Sequence, residues 1–382
     1  MVKPAGSACN MDCSYCYYLD KAVQDGGKEA VMSDALLEEY IRQYLEANKV
    51  DTVTFCWHGG EPLLLGLVFY RKAMEFQKKH AGGKKVVNTI QTNGTLVDAE
   101  WCKFFKENDF LVGISLDGPK DVHDAFRLDK QGRPTWDRVM ESVRMFKEYG
   151  VEFNTLSVVT SLCEGRGKEI YRFFKSIGSH YMQFLPAVEH VVDRPEFHRP
   201  VIVPPEAEGA RLAPWSVSAE GYGQFLCDIF DIWRKGDIGT YYVQMFDATL
   251  AQYCHVQPGV CSMCETCGDS LVVEHNGDVY NCDHFVYPSY LLGNIGEKHL
   301  ADIYSDPKRF RFGVAKRASL PKDCMRCRWY FACRGECPKH RFAKGLDGGP
   351  KNSLCEGLKM YFEHTRPLFE EMRDNILSQW KR

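Results

Sequence analysis

Cys9-Asn-Met-Asp-Cys13-Ser-Tyr15-Cys16 constrains this chain more tightly than any other segment, because it spaces three thiols four and three residues apart. No regular helix or strand aims all three sulfurs at one centre, so the segment must be a loop. Three thiolates suit a four-iron cluster better than zinc, since such a cluster has four corners and each normally takes one cysteine. Three ligands leave one iron open, and an open metal position is where a substrate or cofactor binds. A pure electron carrier closes every corner. The spacing therefore argues against a non-catalytic iron–sulfur or zinc protein that serves electron transfer or scaffolding.

The remaining composition sets wide bounds. The 382 residues suffice for one large α/β domain and a smaller one. A formal net charge of −3 gives no electrostatic reason to expect nucleic acid or an anionic membrane as partner. No stretch approaches a membrane span, and the eight residues before Cys9 leave a targeting peptide no room, so the expected compartment is the cytoplasm. Seventeen cysteines in a reducing compartment point to metal ligands rather than disulfides, and the odd total agrees. Cys56, Cys102, Cys163, Cys227 and Cys254 stand apart from the motifs and are expected as small core residues.

Strand-like and helix-like segments alternate after the first loop. Ser33 can cap a helix through about Ala47, with Leu36, Leu37, Tyr40, Ile41 and Leu45 along one face. Strands are expected at 52–57, 86–91, 111–116, 154–159 and 181–185, with helices at 69–80, 98–108, 136–149 and 168–177. A first strand just before Cys9 gives about six βα units around a parallel sheet, fewer than a closed eight-fold barrel, so the expected α/β fold is a partial (β/α)6 TIM-like barrel. Between 186 and 215 lie Pro195, Pro200, Pro204, Pro205 and Pro214, which favour a loop or linker. A helix from Ala219 to about Arg234 follows. The expected division is 1–235 for the barrel and 236–382 for a cysteine-rich domain.

Ligands of parallel sheets collect at the carboxyl ends of strands. After the second strand comes Gly59-Gly60-Glu61-Pro62. Its glycines allow close backbone approach to a ligand, and Glu61 can accept bonds from the strand or from an ammonium. The bland alternative is a plain turn. Asn93 ends the third strand, Ser115 the fourth, and Arg127 offers a planar fork suited to a carboxylate or to a surface ion pair with Asp121 or Asp124.

The carboxy-terminal third carries Cys261-x2-Cys264-x2-Cys267, a hairpin over 271–280 turning at Asn276-Gly277, and then Cys282. The hairpin brings Cys267 and Cys282 towards each other. Cys324-x2-Cys327-x5-Cys333-x3-Cys337 and Cys355 follow. One or two structural zinc sites would also use such pairs.

With aromatic Tyr15 before its last cysteine, the first motif resembles the signature of the radical S-adenosylmethionine enzymes. The carboxy-terminal cysteines resemble the SPASM extension. Together, over nearly the whole chain, they are most similar to the anaerobic sulfatase-maturating enzymes. The resemblance implies S-adenosylmethionine and three [4Fe-4S] clusters. Cys9, Cys13 and Cys16 would bind the first. Cys261, Cys267, Cys282 and Cys337 would bind one auxiliary cluster, with Cys264 an extra thiol, and Cys324, Cys327, Cys333 and Cys355 the other. Tyr15, Gly59, Gly60, Glu61, Asn93, Ser115, Arg127 and Val188 would surround the cofactor.

The implied reaction oxidises a cysteine or serine of a sulfatase to formylglycine under anaerobic conditions, with Asp283 as the base. Tyr18 and His58 would line the substrate pocket, with His58 where relatives are expected to carry glutamine. Implied partners are an unfolded or nascent sulfatase segment, Cys/Ser-x-Pro-x-Arg, and an electron donor such as a flavodoxin or ferredoxin. The alternative is another SPASM enzyme that forms thioethers or matures a peptide cofactor. Those commonly carry an amino-terminal peptide-recognition domain, for which eight residues leave no space.

Overall fold

The computed structural model describes residues 1–18, 31–194, 200–204 and 207–380. In chain order its main elements begin with β1 (Val2–Lys3), α1 (Asp34–Ala47), β2 (Thr52–Trp57), α2 (Gly66–His80), β3 (Lys85–Thr92), α3 (Ala99–Glu107), β4 (Leu111–Ser115) and α4 (Trp136–Tyr149). They continue with β5 (Phe153–Val159), α5 (Gly167–Ser176), β6 (Tyr181–Pro186), α6 (Ala219–Trp233), β7 (Tyr242–Val243) and α7 (Gln244–Tyr253). Last come β8 (Val272–Glu274), β9 (Asp278–Tyr280), β10 (Leu291–Asn294), α8 (Pro307–Ala318) and α9 (Cys355–Trp380). The alternation read from the sequence is present, with six strands each followed by a helix. Local chemistry starts and stops these helices. The Ser33 hydroxyl accepts from the Leu36 amide, the Asp98 carboxylate accepts from the Trp101 amide, and Gly150 closes α4 in the left-handed region at φ 65°. Helix α2 starts three residues earlier than its apolar pattern, because a 3-10 turn over Pro62–Leu65 leads straight into it.

The chain forms two compact units, each discontinuous in sequence: Met1–Leu116 with His123–Asn154 and Gly268–Phe312, and Asp117–Val122 with Thr155–Cys267 and Gly313–Arg382. In the first unit β1 to β4 lie parallel in the order β4-β3-β2-β1. Strand β8 then pairs parallel to β1, with Lys3 opposite Glu274, and continues antiparallel through β9 to β10. Alternate side chains of β2 (Val53, Phe55 and Trp57) are buried, as period-two patterning requires.

In the second unit β5, β6 and β7 are parallel. Helices α6 and α9 cross where a Cβ on Gly357 would stand 1.7 Å from the Ala219 carbonyl oxygen, so only glycine fits. The 186–215 segment departs from the loop expectation. His190–Val192 pairs antiparallel with both Val201–Ile202 and Arg211–Leu212. Pro200, Pro204 and Pro214 fall just outside those strands, where a missing amide proton costs nothing. Pro195 and Pro205 lie outside the described residues. Cys102, Cys163, Cys227 and Cys254 are buried and Cys56 is half-buried. No helix among the described residues is long and apolar enough to cross a membrane.

Candidate functional site

The cysteine loop of the first unit is held by main chain. The Asp12 amide donates to Leu128 O at 2.8 Å, Ser14 to Phe126 O at 3.3 Å, and Cys16 to Cys13 O at 2.9 Å. Tyr15 is buried, its ring 5.6 Å from that of Phe126 and 5.4 Å from the Arg127 guanidinium. Arg127 is thus beside the loop. Of the two carboxylates that could have held it at the surface, Asp121 pairs with Arg166 at 2.7 Å and Asp124 accepts from the Thr135 and Trp136 amides.

The glycine pair does its close packing against the chain itself. A Cβ on Gly60 would lie 2.0 Å from the Ala8 carbonyl oxygen, and the Gly60 and Glu61 amides donate to Gly6 O and Ala8 O, both at 2.8 Å. Gly59, at φ 135°, makes the turn. Glu61 is fully buried and braces the neighbouring strand end. It accepts from Asn93 N (2.7 Å), Thr92 Oγ1 (2.8 Å) and Leu63 N (3.0 Å). Burial outweighs these bonds and lifts its carboxyl to about 7. The Asn93 amide nitrogen points to Cys9 Sγ at 3.7 Å and donates to Asn10 Oδ1 at 2.9 Å, while Ser115 Oγ accepts from Gln91 Nε2.

Beside this loop lies a buried polar group. The Tyr17 hydroxyl donates to Asp283 Oδ2 at 2.7 Å, and Asp283 Oδ1 stands 3.5 Å from Cys282 Sγ. The Tyr18 hydroxyl donates to Glu274. Lys3 is fully buried, and among the described residues its ammonium has no hydrogen-bond partner; it sits 3.6 Å from the Tyr18 ring centroid. Burial alone would raise the Asp283 carboxyl, but His284, Lys3, His58 and the Tyr17 hydroxyl together hold it far below the usual carboxylate range. The His58 imidazole is pushed down to about 4 by burial and by Lys3. Its Nδ1 accepts from the Gly59 amide at 2.8 Å, so the neutral ring carries its proton on Nε2. Lys3, Tyr17, Glu274 and His284 are absent from the sequence reading. Only the register of Lys3 against Glu274 would have pointed to them, and that is a tertiary fact.

In the second unit Cys324, Cys327, Cys333 and Cys355 line one cavity of about 70 Å³, walled by Trp329, Leu358 and Phe362. The Trp329 amide donates to Cys327 Sγ at 3.4 Å. Burial pushes the Cys324 thiol up to about 11 and the Cys333 thiol up to about 12. Cys261, Cys267 and Cys337 form another electrostatically linked set. Its loop is held by the buried Lys316 ammonium, which donates to Cys261 O (3.0 Å), Ser262 O (2.7 Å) and Cys264 O (2.5 Å). The Cys264 thiol turns back to Val260 O at 3.4 Å. Cys282 belongs to the first unit. Val188, 1% exposed, is a core side chain of the second.

The donor sets fit iron–sulfur clusters. Burial pushes the Cys9 thiol up to about 12, so charged thiolates there need a counter-charge that iron would supply. Four thiols around one cavity, with a backbone amide directed at a sulfur, match a four-cornered cluster. Among the described residues no group of three or more Cys, His, Asp or Glu side chains is placed to hold a single metal ion.

Comparison with known proteins agrees with this geometry. A Radical SAM superfamily model matches residues 4–173, and the SPASM iron-sulfur cluster-binding domain matches residues 257–328. A serine-type anaerobic sulfatase-maturating enzyme of Bacteroides thetaiotaomicron is 47% identical over 99% of this chain and 92% of its own. A cysteine-type enzyme of Clostridium perfringens is 34% identical over 98% of each chain. The solved structure of native anSMEcpe with bound AdoMet and Kp18Cys peptide superposes with a TM-score of 0.85 at 32% identity, covering 98% of both chains. S-adenosylmethionine, a [4Fe-4S] cluster and further iron–sulfur clusters are the cofactors of this architecture. A Radical SAM domain joined to SPASM, with whole-chain identity on this scale, places the chain in the family of anaerobic sulfatase-maturating enzymes.

Proposed function

We propose that this protein oxidises a serine or cysteine of a sulfatase segment to formylglycine, with Asp283 as the base. The observation that carries this reading is the 2.7 Å bond from Tyr17, the residue after the third loop cysteine, to Asp283, the residue after Cys282. It ties the amino-terminal loop to a carboxylate 266 residues away. Cys9, Cys13 and Cys16 would hold the first cluster, with Arg127 and Ser115 placed for the carboxylate of S-adenosylmethionine. When bound, these groups supply the one-electron chemistry that removes a hydrogen atom from the β-carbon of the target.

The hydroxyl or thiol on that carbon then becomes a far stronger acid than an ordinary side chain. Asp283, held as an anion by its neighbours, accepts its proton, and the remaining electron would pass to the auxiliary iron–sulfur clusters. One hydrogen atom, one proton and one electron lost, two protons and two electrons in all, account for an aldehyde from serine. Cysteine gives a thioaldehyde, which water converts. His58 lies near this carboxylate and would present a neutral Nε2–H to a substrate oxygen or sulfur, while Tyr18, bonded to Glu274 and packed against Lys3, would line the same pocket. Glu61 keeps a supporting role in this scheme, because its acceptors take the Asn93 and Leu63 amides and the Thr92 hydroxyl.

Serine is the proposed preferred target, from 47% identity with the serine-type relative against 34% with the cysteine-type one. Cys-x-Pro-x-Arg and Ser-x-Pro-x-Arg peptides, an electron donor of the flavodoxin or ferredoxin class, and the cytoplasm complete the proposal. Anaerobic incubation of the reconstituted enzyme with each peptide, S-adenosylmethionine and reductant, read by mass spectrometry, tests it. Peptide aldehyde with 5′-deoxyadenosine is expected, faster from serine. Deoxyadenosine without aldehyde from either peptide would move the substrate elsewhere.

A further inference from the structure

Between Cys333 and Cys337 of the second unit the chain makes a costly turn. Arg334, Gly335 and Glu336 all adopt left-handed backbone, at φ 51°, 75° and 49°, and two of the three carry a Cβ. The turn gives Cys333 to the cavity shared with Cys324, Cys327 and Cys355, and Cys337 to the set with Cys261 and Cys267. Glu336 sits at the hinge of both, 6% exposed. Its amide donates to Cys333 O at 2.9 Å, and its carboxylate accepts from the Cys337 amide. Glu336 Oε2 also accepts from His340 Nδ1 at 2.7 Å and from Asn352 Nδ2 at 2.5 Å. Asn352 in turn takes the Cys355 amide on its carbonyl at 3.2 Å. One buried carboxylate is therefore bonded into both thiol sets, and its field reaches Cys333, Cys337 and Cys267.

A buried negative charge disfavours adding an electron to a nearby cluster, and it does so more strongly in a low-dielectric interior than at a surface. Satisfying such a carboxylate with three donors holds it in place. A structural role alone could be filled by a neutral amide. We propose that Glu336 is a shared negative charge beside the two auxiliary sites, a positioning residue that sets their reduction potentials together. This rests on the thiol assignments above.

The test is a redox titration followed by electron paramagnetic resonance on the reconstituted full-length enzyme at fixed pH, with iron and sulfide counted. A wild-type enzyme lacking auxiliary signals would overturn the thiol assignments, and this proposal with them. With those signals present, Glu336→Gln should raise both auxiliary midpoints and leave the amino-terminal cluster where it was. Glu336→Asp should return both towards wild type. Unmoved midpoints, or a shift in one auxiliary cluster alone, would overturn the proposal while leaving the assignments intact. Should Glu336→Gln lose iron, Asn352→Ala keeps the carboxylate and withdraws one donor. Both midpoints should then fall, and if they stay put the shared negative charge is refuted.

Discussion

The cysteine loop of the first unit and the thiol cavity of the second present the same ligand in two different ways. The loop offers three thiols on a segment fastened by backbone bonds, with Arg127 and Asn93 beside it. The cavity offers four thiols enclosed by Trp329, Leu358 and Phe362. On the function proposed above, the first arrangement would leave a corner for a small polar cofactor, and the second would give every corner a thiol. Chemistry would then start at the first site, and the second would accept and pass electrons. That difference follows from ligand count and lining, not from the cysteines themselves.

Removing one thiol from each region is the sharpest way to break that comparison. Cys13→Ala should abolish 5′-deoxyadenosine formation altogether and lower the iron content by about four per chain. Cys327→Ala should cost similar iron yet leave deoxyadenosine formation measurable. If the two variants behave alike, the contrast between the regions is wrong.

A smaller effect separates hydrogen removal from proton loss. Asp283→Asn should lower aldehyde formation by about 10²- to 10⁴-fold, the range for loss of a general base. Deoxyadenosine should persist, so the ratio of the two products by chromatography and mass spectrometry is the quantity to follow. Parallel loss of both would make Asp283 a structural residue.

Gly60→Ala probes the backbone fastening of the loop. The added carbon would fall 2.0 Å from Ala8 O, so the loop must shift. A loss of about 1–3 kcal/mol in denaturant unfolding is expected, together with weakened iron binding at the first site only. Unchanged stability would show that the loop has room that the glycine does not require.

The smallest effect concerns acid stability. His58 has a depressed value of about 4 against 6.5 in an unfolded chain, so the unfolded state binds the extra proton between those values. Its contribution is full above pH 6.5 and is lost as pH falls towards 4, amounting to about 3 kcal/mol at most. His58→Gln should flatten that limb of the stability curve measured by chemical denaturation. The thiol cavity of the second unit contains no histidine in its lining and gives no matching slope. An unchanged limb would place the titration elsewhere.

Much of the architecture could be read from local patterning. Period-two burial in β2, the Ser33 and Asp98 caps and the Asn276-Gly277 turn are all set by neighbours a few residues apart. The cysteine spacings belong to the same class, and they led to cluster chemistry before any coordinates. At Glu61 local sequence leaves two readings open, because a carboxylate after two glycines looks the same whether it faces a ligand or braces a strand. The strands within 190–212 were hidden by prolines that turn out to stand beside them rather than in them.

The sequence by itself determined the βα rhythm, the thiol-rich loops and the cofactor class, since spacing and side-chain chemistry are local quantities. Only the tertiary structure decided that Tyr17 meets Asp283, that Lys3 is buried opposite Glu274, and that Glu336 is bonded into two thiol sets. Each of these depends on residues far apart in the chain arriving within a few ångströms. That convergence is fixed by strand register and packing, which no single stretch of sequence contains.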